Sequence, residues 1–319
     1  MLRGRELIKV RNLTKIYGYT KAVNNLSFDV SRGEVLGFLG PNGAGKTTTI
    51  RMLTCFLPPT SGSVEICGYD ILDSSMAVRE LIGYLPEKTP LYYDLTVTGY
   101  LDFVANIKGM NRLRIPGAIE NTVEKCGLGS VRHRITGNLS KGFQQRVGIA
   151  QAVINDPEVL ILDEPTIGLD PKQIHEIRAL IKNIGKERTV ILSSHILPEV
   201  NQISDRIIVI NEGRLAAVDS PDNLKQSLKK YSSVIVKLGR NGKGSQAAAF
   251  ISSLPGVVSV NETGSTEQTV TLTVESEPDK DLRHKILSSL VSNDYPLLEI
   301  YNRELSLEDI FIQLVTTEE

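Results

Sequence analysis

The 319-residue chain has few cysteines, no excess of charge of either sign and no long apolar run, and each shortage removes a class of protein. Cys55, Cys67 and Cys126 form no CxxC pair and no His-linked metal pattern. An odd set of thiols suits a reducing compartment and argues against a disulfide framework, so the expected location is the cytoplasm. The 36 Lys and Arg against 37 Asp and Glu leave a formal charge of −1, which gives no overall field for nucleic acid or an anionic membrane surface. Crossing a bilayer takes about 18 or more consecutive apolar residues, and no such run occurs. Met1-Leu2-Arg3-Gly4-Arg5-Glu6 leads into a strand pattern rather than an apolar signal core. Any membrane role would then be borrowed from a partner.

What the chain does have is ordinary globular material, 41% hydrophobic and 23% charged, at a length that suggests two domains. Residues 6–17 and 22–30 alternate and carry β-branched positions, and the apolar run 35–39 ends in a glycine-rich stretch beginning at Gly40. A helix is expected from Lys46 to about Phe56, then a break at Pro58-Pro59-Thr60-Ser61-Gly62 and a strand over 63–66. Short apolar runs at 159–162, 189–193 and 206–210, separated by helical segments, predict a largely parallel sheet covered on both faces. Residues 92 to about 152 are mostly helical and read as a subdomain inserted into this α/β core.

Past a helix expected over 221–230 the texture changes. Strands are predicted at 232–238, 257–260, 269–274 and 297–301, with helices at 245–254 and 278–292. That β-α-β-β-α-β order matches the split βαβ motif and predicts a small ferredoxin-like α+β domain over 231–319, after a nucleotide-binding domain over 1–230. A last helix is expected to begin with Ser306 and Asp309 and to present Ile310, Phe311 and Leu314 on one face.

Gly40-Pro41-Asn42-Gly43-Ala44-Gly45-Lys46-Thr47-Thr48 fits GxxxxGK followed by Thr, between a predicted strand and a predicted helix. Glycines let backbone N–H groups turn inward around phosphate oxygens, and the helix N-terminus adds partial positive charge. ATP is the expected ligand, with Lys46 on its β- and γ-phosphates and Thr47 on Mg²⁺. Downstream, Val159-Leu160-Ile161-Leu162-Asp163-Glu164 is an apolar strand ending in two acids. Adjacent carboxylates at a buried strand tip need a cation or protonation to offset their charge. Strand alternation would aim Asp163 at the metal and Glu164 at the attacking water, the alternative being a solvated strand end.

Three further segments narrow the reading: Leu139-Ser140-Lys141-Gly142-Phe143-Gln144-Gln145-Arg146, then Asp163 through Pro171, then Ser194-His195. With the P-loop they make residues 6–230 resemble an ABC ATPase, in that family's motif order. The resemblance implies that Ser140 and Gly142 contact the γ-phosphate of ATP held by a facing protomer, so that hydrolysis requires a dimer, with a homodimer expected. It also implies Asp170 as a dimer contact, His195 as the switch residue on the γ-phosphate and Tyr17 as the aromatic stacked on adenine. Taken singly, His195 could be a surface residue and Tyr17 a packing aromatic.

The chain departs from the family pattern twice. Lys141 and Phe143 replace the usual Gly and Gln of the signature, a variant that resembles the export branch of polysaccharide, drug and gliding-motility transporters. Glu87 stands where the family has a Q-loop Gln; it can ligate Mg²⁺ but cannot donate a hydrogen bond when ionised, or it is only a loop charge. Beyond it, Leu91, Tyr92, Tyr93 and Leu95 are expected either to receive a short helix of a separate permease subunit or to pack inside the helical subdomain. The rival classes are a soluble ABC protein acting on DNA or ribosomes, whose insertions or second cassette are missing here, and an iron–sulfur cluster assembly ATPase, which resembles a chain without the second domain. A P-loop kinase has no use for Ser140, Gly142 or His195.

Overall fold

The computed structural model describes residues 6–227, 232–239, 244–266, 268–277 and 281–303. It divides into two compact units, the first running to Pro221 and the second starting at Asp222.

The first unit opens with β1 (Glu6–Tyr17), β2 (Thr20–Ser31) and β3 (Val35–Leu39), followed by α1 (Lys46–Leu53), β4 (Ser61–Ile66), β5 (Tyr69–Asp70), α2 (Ser75–Leu81) and β6 (Ile82–Leu85). The helical insertion holds α3 (Val97–Ile107), α4 (Ile115–Lys125) and α5 (Lys141–Val153). The core then resumes with β7 (Val159–Asp163), α6 (Pro171–Gly185), β8 (Thr189–Ser194), α7 (Leu197–Ile203), β9 (Arg206–Asn211) and β10 (Arg214–Asp219). The helix expected over 221–230 is α8 (Pro221–Ser227) as far as the described residues reach, and all of it after Pro221 falls in the second unit.

Two sheets frame this unit. One has the order β2-β1-β4-β5 and the other β10-β9-β3-β8-β7-β6. All pairs of the second are parallel except β10 with β9. β3, β7 and β8 are buried at every position, which is why they read as unbroken apolar runs: helices cover a parallel sheet on both faces. The sheets close over one core in which Phe28 of β2 meets Phe38 of β3 edge to face, with ring centroids 5.3 Å apart. Side chains such as Ile8, Leu13, Ile50 and Ile161 complete it, each contributing about 1.5–3 kcal/mol on burial.

Local chemistry sets the helix ends. α1 stops at Leu53, short of the expected Phe56, because Cys55 turns left-handed (φ 55) and the Phe56 N–H closes back on the Arg51 carbonyl at 2.9 Å. Thr96 caps α3 by accepting the Gly99 N–H at 3.1 Å, and Ser140 stands at the N-cap of α5. Gln151 of α5 donates to the Tyr84 carbonyl at 2.7 Å, pinning the helical insertion to β6.

The second unit contains β11 (Ser232–Gly239), α9 (Gly244–Ser252), β12 (Val257–Ser265), β13 (Thr269–Ser276), α10 (Arg283–Ser292) and β14 (Leu297–Arg303). Its sheet is antiparallel with order β12-β13-β11-β14, the arrangement expected of a ferredoxin-like domain. Val234, Val236, Leu272 and Val274 of the sheet meet Ile251 of α9 and Ile286 and Leu290 of α10 in a separate apolar core. The expected helix at Ser306, with Asp309, Ile310, Phe311 and Leu314, lies outside the described residues.

Candidate active site

Strand order builds the site. β3, β8, β7 and β6 are parallel neighbours, so the segments leaving their carboxyl ends lie side by side. These are the loop from Gly40, His195, the Asp163–Glu164 pair and Glu87, and this edge of an open α/β sheet is where ligands bind. Asn42, Gly43, Gly45, Lys46, Thr47, Thr48, Glu87, Glu164 and His195 line one cavity of about 470 Å³ together with Ala22 and Ile167.

Gly45 has φ 101, and a Cβ there would lie 2.4 Å from the Ala22 carbonyl oxygen, so this turn tolerates only glycine. Lys46 Nζ donates to the carbonyls of Gly40 at 2.7 Å and Pro41 at 3.1 Å and lies 3.7 Å from Glu164 Oε1. Ala44 is buried beneath the loop. Burial pushes the Lys46 ammonium below its ordinary range, against the opposing pull of Glu164 and Asp163.

Asp163 ends β7. Its Oδ1 accepts the Ser193 hydroxyl at 2.6 Å and the Thr47 hydroxyl at 3.3 Å. Burial raises its carboxyl above the usual range; the two hydroxyls oppose that, and Glu87 adds to it. Glu164 does not continue the strand. It has φ 49, so strand alternation does not set its direction; the left-handed residue swings the side chain between Lys46 and His195, whose Nδ1 is 2.9 Å from Glu164 Oε2. A non-glycine residue holds such a conformation only where its surroundings enforce it, and these residues cluster at functional sites.

Eight predicted residues, Gly40, Pro41, Ala44, Asp163, Tyr17, Ser140, Gly142 and Asp170, stand outside the cavity lining. Tyr17 is 47% exposed, with Lys15 Nζ 5.4 Å from its ring centroid. Exposed Ser140 accepts the Phe143 N–H at 3.5 Å, and Gly142 is buried against Gln173. Asp170 caps α6 by accepting the Gln173 N–H at 2.9 Å. Gln173 thus joins the start of α5 to the start of α6. Sequence reasoning missed Ser193, which also accepts the Glu164 N–H at 3.0 Å, because a serine at a strand end carries no pattern of its own. It missed Thr89 as well, whose hydroxyl donates to Gln145 at 3.0 Å and ties the segment after Glu87 to α5. Another cavity, of about 500 Å³, lies between α4 and α6 and shares no residue with the P-loop.

Comparison with known proteins resolves what this geometry belongs to. A family described as ABC transporter matches residues 23–167, and the C-terminal domain of DrrA1-3-like ATP-binding proteins matches residues 220–315. The chain is 43% identical to the bacitracin transport ATP-binding protein BcrA of Bacillus licheniformis, over 70% of this chain and 73% of that one. It is 33% identical to the ABC transporter ATP-binding protein YcbN of Bacillus subtilis over 97% of each. The chain belongs to the ABC transporter ATP-binding proteins. A dimeric structure of the ATP-binding cassette MJ0796, in a post-hydrolysis state with ADP and Pi, is similar at a TM-score of 0.61 and 26% identity, covering 67% of this chain and 98% of that one. As an ABC ATPase the chain binds and hydrolyses ATP as the nucleotide-binding subunit of a transporter, and the iron–sulfur assembly alternative is not favoured. No helix among the described residues is long and apolar enough to cross a membrane.

Proposed function

We propose that this ABC ATPase drives an exporter whose membrane-spanning permease is a separate chain, working as a homodimer on the inner face of the membrane. The observation that carries the catalytic part is Glu164, a buried carboxylate held between Lys46 and His195 at the cavity edge. Glu164 accepts the proton of the water that attacks the γ-phosphorus, while Lys46 and the loop N–H groups hold the phosphate oxygens and His195 steadies both Glu164 and the γ-phosphate. Tyr17 stacks on adenine, and Ser140, Gly142 and Asp170 of one protomer complete the site of the other.

The residues also suit Mg²⁺. Thr47 and Asp163 face each other with hard oxygen donors, the buried Asp163 gains from a cation, and Glu87 lines the same cavity. No cluster of three or more metal-binding side chains occurs among the described residues, and Mg²⁺ sites of this kind take most ligands from phosphates and water. When bound, the ion would neutralise charge on the β- and γ-phosphates. Export is supported by the Ser140-Lys141-Gly142-Phe143 signature and by the likeness to a bacitracin transport protein.

The test is Glu164→Gln, expected to keep ATP affinity and slow hydrolysis by about 10²-fold or more. Lys46→Ala serves as the contrast and should lose affinity as well. Wild-type turnover of Glu164→Gln with its membrane partner present would remove the general-base assignment.

A further inference from the structure

Glu199 is a carboxylate for which the chemistry above has no use, and it is 4% exposed. It lies in the first turn of α7, and no cation among the described residues pairs with it. Burying a carboxylate without a cation is costly unless hydrogen bonds replace its water. Here they come from two hydroxyls: Glu199 Oε2 accepts from Thr166 in a short bond and from Ser194 at 3.4 Å. Thr166 and Ser194 are themselves buried. Ser194 Oγ also accepts the Ile196 N–H at 3.0 Å, so the hydroxyl is fixed on both sides.

The two donors flank the reacting pair. Thr166 stands two residues after Glu164, and Ser194 stands immediately before His195. The chain between Glu164 and Asp170 is braced as two successive turns, with the Ile167 N–H on the Glu164 carbonyl at 3.2 Å and the Leu169 N–H on the Thr166 carbonyl at 3.3 Å. Fixing Thr166 therefore fixes the segment that begins at the left-handed Glu164 and ends at the α6 cap. Fixing Ser194 fixes the strand end from which His195 reaches Glu164.

The geometry points to Glu199 as a positioning residue of the ATPase, one buried acceptor that clips the Glu164–Asp170 loop to the His195 strand end so that base and histidine keep their contact. This rests on the reading of Glu164 and His195 given above. Glu199 touches none of the residues lining the nucleotide cavity by hydrogen bond, so it acts through Thr166 and Ser194 alone.

The test uses the full chain with Glu199→Ala, Glu199→Gln and Thr166→Val, and with Glu164→Gln as reference. Glu199→Ala and Thr166→Val should lower kcat about tenfold or more through a small misplacement of the pair, with ATP Kd unchanged within about twofold. Glu199→Gln keeps an acceptor of the same shape and should fall between these variants and wild type. Because both partners belong to one clip, Thr166→Val/Glu199→Gln should be no slower than Thr166→Val. Ring ¹⁵N NMR of His195 should change in Glu199→Ala and Thr166→Val, a readout that needs no turnover and that lost packing elsewhere would not move. Wild-type kcat in Glu199→Ala, losses that multiply in the double variant, or an unchanged His195 spectrum overturns the proposal. Should Glu199→Ala fail to fold, Thr166→Val decides by the same readouts. Wild-type turnover in Glu164→Gln would instead sink the general-base reading, leaving the His195 spectrum to decide the clip.

Discussion

Lys108 carries a charge into a place with no acid to receive it. Its ammonium donates to Asn155 Oδ1 at 2.7 Å and to the Ala152 carbonyl at 3.5 Å, both neutral, and burial lowers its pKa to about 8. The unfolded chain holds that proton up to about pH 10.5, so the unfolded state binds more protons across the window between the two values. The penalty is complete below about pH 8 and fades as pH rises toward 10.5. Urea unfolding of wild type and Lys108→Met at pH 7 and pH 10 should therefore show wild type gaining on the variant at the higher pH, by on the order of 1 kcal/mol after solvent screening. An equal difference at both pH values would contradict the burial account. At this scale the sequence was legible where backbone chemistry dictates residue type. Gly45 and Lys46 could be named because a phosphate loop needs a left-handed turn and one cation. Ser193, Thr89 and Glu199 could not, since their meaning lies in what faces them across the sheet.

Elements were legible in proportion to their burial and length. β3, β7 and β8 declare themselves as apolar runs, and β1 and β2 by alternation, but the four-residue β6 with its Gly83 has no run long enough to be told from a loop. The placement of Glu164 by strand alternation failed for a similar reason: the strand ends one residue earlier, and a left-handed turn takes over. The segment after β6 bears on the permease. Tyr92 and Tyr93 are 56% and 57% exposed, which favours the docking reading over burial inside the subdomain. Tyr92 leans on Phe103 of α3 with centroids 4.9 Å apart, leaving its outer face to solvent, while its carbonyl accepts the Thr136 hydroxyl at 2.8 Å. The backbone bond holds the loop whatever the side chain is. Tyr92→Asp should thus leave folding and ATP affinity near wild type and weaken association with the membrane subunit by tenfold or more, about 1.4 kcal/mol, as loss of an aromatic anchor does. Unfolding of the isolated variant, seen by circular dichroism, would place Tyr92 among the residues that stabilise the subdomain instead.

On the scale of the whole molecule, the division of labour follows from each unit having an apolar core of its own, the two sharing no residue among the described residues. One is built from Leu7 to Ile210 and the other from Val234 to Leu290. The P-loop, Asp163, Glu164 and His195 all hang from strands of the first, and the sheet of the second offers no comparable apparatus. The sheet face of the second unit turned away from its helices is mostly polar, with Lys237 paired to Glu299 at 2.9 Å, Ser259 donating to Glu275 at 2.7 Å and Thr263 bonded to Thr273 at 3.0 Å, beside the cross-strand pair Ile235 and Tyr301. Such a face suits a wet, exchangeable contact better than a permanent apolar one. We therefore expect the second domain to act on assembly and not on chemistry. A chain ending at Lys230 should fold, bind MgATP within about threefold of wild type, and show its loss in dimerisation or in recovery of the transporter complex. Calorimetry with ATP and sedimentation of the truncated chain separate the two outcomes. A folded truncation that no longer binds nucleotide would mean that the second domain helps to shape the P-loop site, and that the independence of the two cores does not extend to function.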